Sequence, residues 1–185
     1  DYKYCKFRSA ELHAATEGHK CDCGVTQRGN IISTFMLKSR SLWWMSESQR
    51  DHYINVFPSL RSKSSNVLSS VFDQRSLNLI SELRQHQHTE RSDEWIVLDS
   101  PSWLKAADDA KMYCQRNNMK YISIWNRDYT DVLKLLSRAK GLIYIPRGAD
   151  TCPRLVIEAK LLGCQLIINE NVQHNHEKWF SGSID

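Results

Sequence analysis

Short apolar runs alternate with helical segments along the second half of the chain, and this alternation constrains the fold most strongly. We predict four strands here, at 95–98, 121–125, 141–146 and 165–169. We predict the intervening helices at 103–118, 128–139 and 153–162. Short apolar strands that alternate with helices of ten or more residues are typical of βαβ units, which form a parallel sheet with helices on both faces.

The first half adds weaker signals of the same kind. Strands are predicted at 42–45 and 66–68, and helices at 47–56 and 75–86. The polar stretch 85–94 is predicted to be a loop. The sequence therefore predicts an α/β fold with a parallel sheet of about six strands and helices on both faces. Residues 1–40 are polar and weakly periodic, which indicates an irregular or short-helical lead-in to a domain at 41–185.

Charge and hydropathy exclude several classes of protein. The 185 residues contain 25 Lys and Arg and 21 Asp and Glu, interspersed to give a net charge of +4. Because there is no basic block, we expect no nucleic-acid partner, whereas a small anionic ligand would suit this balance. No apolar run approaches the roughly 18 residues that span a membrane, and we expect a cytoplasmic protein. The chain begins at Asp1, so we expect a processed product or an excised fragment.

The lead-in contains a group of metal-ligand residue types. Cys5, Cys21 and Cys23, with His19 or His13, could form a four-ligand zinc site. The C-x-C spacing is shorter than the usual C-x₂₋₄-C of zinc sites. A disulfide from Cys5 to Cys21 or Cys23, or three reduced thiols, are the alternatives. A metal here would hold the lead-in in place and would not take part in catalysis.

The other cysteines and histidines are predicted to be structural or solvated. Cys114, Cys152 and Cys164 occur singly in apolar or helical stretches, which indicates free thiols in the core. Four other histidines lie in polar stretches and are expected at the surface: His86, His88, His174 and His176.

The loop that follows the strand at 141–146 is the most informative segment. Its sequence is PRGADTCPRLVIEAKLLG. Asp150 or Thr151 can cap the next helix, Pro153 suits its first turn, and Gly163 suits its end. The unpaired N–H groups and positive dipole end of that helix suit a phosphate.

Charged residues surround this helix start. Arg147 and Arg154 flank it, and either could contact a phosphate. Glu158 lies on the helix, where its carboxylate could accept hydrogen bonds from vicinal hydroxyls such as those of a ribose. The alternative is that Asp150 is only a cap and Glu158 only a surface charge.

The segment IPRGADTCPRLVIEAKLLGCQLI resembles the signature of retaining nucleotide-sugar glycosyltransferases of the GT-B fold. That signature runs P-S-x-x-E, then seven residues to a second Glu, then A-M-A-x-G-x-P-V-I. Pro146 matches its Pro, Asp150 stands at the first Glu, and Glu158 matches the second. Gly163 and the strand beginning at 165 follow in order. The resemblance implies that Glu158 binds the nucleotide ribose and that Asp150 approaches the hydroxyls of the donor sugar.

Other segments agree with this family in order and spacing. LWWMSESQRDHY at 42–53 resembles its strand, Ser-Glu and helix, and SSVFD at 69–73 resembles its N-G-V-D turn. Lys105 stands at the position of a phosphate-binding Lys. The family's Arg, several residues before that Lys, is absent here, and the resemblance leaves Arg147 or Arg154 to supply the charge. It covers about residues 41–180, and Thr151 completes the implied donor-binding set.

The resemblance implies the Rossmann-like, C-terminal half of a two-domain enzyme of carbohydrate biosynthesis. Its donor would be a UDP- or GDP-sugar, with Lys105 and the helix N-terminus stabilising the diphosphate leaving group without a catalytic metal. The acceptor, a glycan or another molecule, would bind a missing N-terminal domain, so this chain alone would transfer sugar weakly or not at all. The full enzyme could associate peripherally with a membrane. The alternatives are another Rossmann-like nucleotide-binding or oxidoreductase domain, which the lack of G-x-G-x-x-G disfavours, or a non-catalytic interaction module.

Overall fold

A computed structural model describes residues 2–86 and 91–182 and divides the chain into two compact units. The first unit contains residues 2–70, Arg147–Cys152 and Glu170–Ser181. The second contains Val71–Pro146 and Pro153–Asn169, with Gly182. Both units combine helices with parallel strands, so the predicted α/β class is confirmed. His88, one of the histidines expected at the surface, lies outside the described residues.

The second unit contains a four-stranded parallel sheet with the order β4-β3-β5-β6. Its strands are β3 (Trp95–Leu98), β4 (Tyr121–Ile124), β5 (Gly141–Tyr144) and β6 (Gln165–Ile168). All four residues of β5 are buried, as expected for a strand covered on both faces of a parallel sheet. The four strands predicted in this half of the chain are confirmed.

Four helices accompany this sheet. They are α4 (Gln74–Gln85), α5 (Ala107–Arg116), α6 (Tyr129–Arg138) and α7 (Arg154–Leu161). The prediction of one helix over 103–118 is wrong at its start. Ala106 has a φ of 52°, in the left-handed region, and separates the 3₁₀ turn Trp103–Lys105 from α5. No helix among the described residues is long and apolar enough to cross a membrane.

Two glycines in this unit meet demands that a larger residue cannot. A Cβ at Gly141 would lie 2.3 Å from the carbonyl oxygen of Gln165 and 2.5 Å from the Trp95 ring, so only glycine allows β5 to begin between these neighbours. Gly163 follows α7 with a φ of 73°. This left-handed conformation ends the helix, as the sequence predicts.

The first unit contains a separate, two-stranded parallel sheet. It consists of β1 (Leu42–Trp44) and β2 (Ser65–Val67), which pair in register over three residues. The prediction of one sheet of about six strands is therefore wrong: among the described residues the strands form sheets of two and four. The physical reason is that β1 buries only one face, against its own aromatic core, while Trp43 on the other face is 64% exposed.

The helices of the first unit are α1 (Ala10–Glu17), α2 (Gln27–Lys38), α3 (Glu47–Val56) and the short α8 (Lys178–Ser181). Residues 2–40 thus contain two of these helices, α1 and α2. Tyr2 and Tyr4 pack in one core with Trp44, Tyr53 and Phe57. The proposed boundary near residue 41 remains a prediction about independent folding.

Candidate functional site

An ion pair on α7 is the first element of the candidate site in the second unit. Arg154 begins α7, and Glu158 follows one turn later on the same face. The Nε of Arg154 donates a hydrogen bond of 2.9 Å to Oε1 of Glu158. Glu158 is only 4% exposed, so it is not a surface charge. Burial raises the pKa of Glu158, and its contacts with Tyr129 and Arg154 oppose that rise.

Two aromatic rings hold the guanidinium of Arg154 in place. It lies 4.5 Å from the centroid of the Phe72 ring and 5.3 Å from that of Tyr129. Its NH2 group also donates to the Tyr129 hydroxyl at 3.3 Å. These contacts fix the cation beside Glu158. Sequence reasoning missed both aromatic residues, although Tyr129 could have been suspected because it begins the helix that follows β4.

A cleft of about 210 Å³ lies at the carboxyl ends of β3 and β4, and two of its lining residues belong to α6 and α7, the helices that also contain Tyr129, Arg154 and Glu158. Its lining is mainly apolar and consists of Leu98, Ile124, Trp125, Asn126, Arg127, Val132 and Leu155. Trp125, which lines this cleft, is 53% exposed. The helices α6 and α7 each contribute to the cleft and to the cluster. Val132 and Leu155 line the cleft, while Tyr129 lies one turn before Val132 and Arg154 directly precedes Leu155. In open parallel sheets, ligands bind at this edge near the point where the strand order reverses, which here lies between β3 and β5.

Lys105 lies in the loop after β3, where the sequence predicts a phosphate ligand. It ends the 3₁₀ turn Trp103–Lys105 and is half-buried. Its Nζ lies 5.4 Å from the centroid of the Tyr144 ring, at the carboxyl end of β5. The ammonium group therefore lies near the ends of two adjacent strands, β3 and β5.

Asp150, Thr151 and Arg147 belong to the first unit. The prediction that Asp150 or Thr151 caps the following helix is wrong, because Pro153 occupies the cap position and no side chain bonds there. The backbone of Asp150 instead forms a parallel bridge with Val172. Its N–H donates to Asn171 at 2.8 Å, and its carbonyl accepts from Gln173 at 3.0 Å. The ligand roles of Asp150, Thr151 and Arg147 remain predictions.

The segment 173–179 corrects the expectation of surface histidines. His174 is fully buried, with its ring 4.5 Å from that of Phe180, and neither ring nitrogen has a hydrogen-bond partner. Burial lowers the pKa of His174 to about 4, although Glu177 and Asp150 oppose the shift. Gln173 is also buried, and its side-chain oxygen accepts from the Ser46 hydroxyl at 2.9 Å. His176 is exposed, as predicted.

A second cluster, in the first unit, consists of Cys5, His13, Cys21 and Cys23. One ligand atom from each residue lies within 4.8 Å of the others. The Nδ1 of His13 is 3.6 Å from the sulfur of Cys5 and 3.4 Å from that of Cys23. The structure thus places His13, and not the candidate His19, with the three cysteines. His19 is exposed, and its Nδ1 lies 3.0 Å from the carbonyl of Lys20.

The cysteines are all free thiols in this structure. The disulfide alternatives for Cys5 are therefore not formed. Cys114 and Cys164 are buried, as predicted for core thiols, whereas Cys152 is half-buried with its sulfur 3.2 Å from the Ser70 hydroxyl.

Comparisons of the chain with protein-family models, curated proteins and solved structures find no match. The likeness of 146–167 to a glycosyltransferase signature thus rests on the residues of this chain. Any function must be argued from the geometry of the two clusters.

Proposed function

We propose that the second unit binds the nucleoside diphosphate of a UDP- or GDP-sugar, as the Rossmann-like donor-binding part of a retaining glycosyltransferase. The supporting observation is the buried Glu158, held by Arg154 beside a cleft at the carboxyl ends of a parallel sheet. A buried carboxylate on the helix after β5 is what ribose recognition in the resembling family requires.

The cleft would bind the base of the nucleoside, and Glu158 would bind its ribose. A cleft of about 210 Å³ with an exposed Trp125 suits a flat base, which gains stability by stacking on an aromatic ring. Glu158 uses Oε1 to accept from Arg154, and a carboxylate has further lone pairs for the two ribose hydroxyls. Arg154 keeps this carboxylate oriented.

The diphosphate would lie against positive charge. Lys105 supplies an ammonium group at the ends of β3 and β5, and the N–H groups at the start of α7 supply a positive dipole end. When the bond between the anomeric carbon and the diphosphate oxygen breaks, the electron pair stays on the diphosphate. Fixed positive groups that face this growing charge stabilise the transition state more than they stabilise the bound nucleotide sugar.

The roles that the resemblance implies for Asp150, at the hydroxyls of the donor sugar, and for Arg147 and Thr151, at the diphosphate, remain predictions, because these residues belong to the first unit. Transfer to a glycan or another acceptor would need a further domain, and the complete enzyme could associate peripherally with a membrane.

Calorimetric titration of the full chain with UDP, GDP and NAD tests the proposal. We expect saturable binding of one nucleoside diphosphate. A hydrogen bond to a charged group contributes about 1.5–3 kcal/mol, so Glu158→Gln should weaken that binding roughly tenfold or more. The matched control is Glu82→Gln, at an exposed position of α4, which should leave the affinity unchanged. Circular dichroism confirms that both variants fold.

Two results would overturn the proposal. Binding of NAD without either diphosphate would favour an oxidoreductase, and binding of none would favour an interaction module.

Lys105→Ala tests the mechanism: joined to its acceptor domain, this variant should lose more turnover than donor affinity, because the charge grows only in the transition state.

A further inference from the structure

We propose that Cys5, His13, Cys21 and Cys23 bind one Zn²⁺ ion, which holds the N-terminal segment of the first unit in its folded form. The site is separate from the proposed donor site and does not depend on it. The sequence leaves His13 and His19 as alternatives for the nitrogen ligand, and the structure places His13 with the three cysteines.

The distances match a tetrahedral zinc site. With Zn–S bonds of about 2.3 Å and Zn–N bonds of about 2.0–2.1 Å, tetrahedral geometry separates sulfur from nitrogen by about 3.6 Å. The Nδ1 of His13 lies 3.6 Å from the Cys5 sulfur and 3.4 Å from the Cys23 sulfur. The four ligand atoms all lie within 4.8 Å of one another. Three sulfurs and one imidazole nitrogen form a Cys₃His set. This set suits zinc, whereas magnesium and calcium prefer oxygen ligands.

The other nitrogen of His13 provides an independent observation. His13 is 1% exposed, and its Nε2 has no hydrogen-bond partner. A carboxylate oxygen of Asp22 lies 3.8 Å from this Nε2. Histidines that bind a metal through one nitrogen commonly direct the other N–H to a carboxylate, which fixes the tautomer. A proton on Nε2 facing Asp22 leaves the Nδ1 lone pair directed at the sulfurs.

The packing of α1 indicates what the ion does. This helix has eight residues, and its only buried side chain is His13. So short a helix is unstable alone and usually depends on an apolar face packed on a core. Here a polar ring takes that place, and its Nδ1 faces thiols. A zinc ion at this position would join α1 to the turn at Cys5 and to Cys23, which belongs to the aromatic core of the first unit.

Zinc also accounts for the cluster better than a disulfide. A disulfide between two of the cysteines would leave the third thiol and a buried imidazole without a strong partner. Binding of Zn²⁺ by three thiols and one neutral imidazole instead uses all four groups. It releases three protons and involves no change of oxidation state.

Metal analysis of the full chain, purified after expression with added zinc, tests the proposal. We expect one zinc per chain. Cys23→Ser and His13→Gln should lose most of it, whereas the matched controls Cys114→Ser and His19→Gln should keep it. Asp22→Asn, next to the proposed ligands, should weaken zinc binding about tenfold. Zinc that survives His13→Gln but is lost with His19→Gln would overturn the assignment.

The unaltered chain supplies a test that does not require the variants to fold. Replacement of zinc by Co²⁺ should give the intense visible bands of a tetrahedral ion and a thiolate-to-cobalt charge-transfer band. A folded chain that binds neither metal, or a weak octahedral cobalt spectrum, would overturn the proposal. So would a disulfide among the three cysteines in the mass spectrum of the unreduced protein.

Discussion

The two compact units of this chain obtain their order in different ways. The second unit is built on a four-stranded parallel sheet, in which β5, one of the two central strands, is entirely buried. The first has strands of only three residues, and its core is mostly aromatic, with buried cysteines among the rings. The second unit is thus stabilised mainly by apolar strands packed under helices. The first unit depends more on specific contacts between particular side chains.

This difference bears on how each unit resists change. In the first unit, the buried amide of Gln173 accepts from Ser46 and donates to the Tyr2 hydroxyl at 3.0 Å. Hydrogen bonds of this kind contribute little on balance, but a buried partner left unpaired is costly. Apolar burial is instead proportional to the area removed from water and tolerates conservative exchange. The first unit should therefore be sensitive to polar substitutions and to pH, and the second to the loss of apolar volume.

The largest effect is expected in the second unit, from Ile143→Ala. Ile143 is 1% exposed in the middle of β5, and truncation of such a residue costs about 2–5 kcal/mol through lost burial and a cavity. Hydrogen exchange should show faster opening of β3 and β5. Leu77→Ala, at a position of α4 that is 42% exposed, is the control and should change little. Equal losses from the two would contradict a core built on this sheet.

A pH effect is expected in the first unit, from His174. Its pKa is about 4 in the folded chain and about 6.5 when unfolded, so the unfolded chain binds the extra proton first. This contribution to stability is present above about pH 6.5 and is lost as the pH falls through 4. Its full size is about 3 kcal/mol.

Denaturant unfolding from pH 7 to pH 4 measures this effect. His174→Phe should flatten the decline in the free energy of unfolding, and the exposed His176→Phe should not. A decline that is the same in both variants would mean that groups other than His174 control the pH dependence.

The smallest effect compares one helix cap from each unit. Ser46 accepts from the N–H of Gln49 at 3.0 Å and also donates to Gln173, so Ser46→Ala should cost about 1–2 kcal/mol. Asp73 caps α4 through the N–H of Ser76, at 2.7 Å, and its side chain is exposed. Asp73→Ala should cost less. Thermal unfolding of both variants decides the order, and a larger loss from Asp73 would remove the contrast between the units.

The strands could be predicted because their signal is local. Apolar runs such as WIVL and GLIYI, separated by helical segments, indicate buried parallel strands without any tertiary information. The choice of Glu158 was equally local, because it followed from the spacing of a motif. Which strands pair was not local: β1 joins β2 alone, and nothing in LWWM distinguishes this from membership of a larger sheet.

Histidine positions show the same limit more sharply. His13 and His19 have equivalent sequence contexts for a zinc site. Only the structure selects His13, because its side chain is the buried one on α1 and lies with the three cysteines. His174 lies in the polar stretch QHNHEK, yet its ring is buried against Phe180. Asp150 was expected to cap the next helix, whereas Pro153 takes the cap position and the backbone of Asp150 forms a bridge to Val172.

The sequence by itself determined the α/β class and the positions of the strands and of most of the helices. It also singled out Glu158 on α7 as a candidate ligand. Each of these follows from periodicity, capping residues or spacing over about ten residues. Only the tertiary structure decided the division into sheets of two and four strands, the aromatic support of Arg154, and the histidine that faces the three cysteines. Those features depend on which side chains meet across long stretches of chain, and the free energy of such contacts is set by burial that no local pattern records.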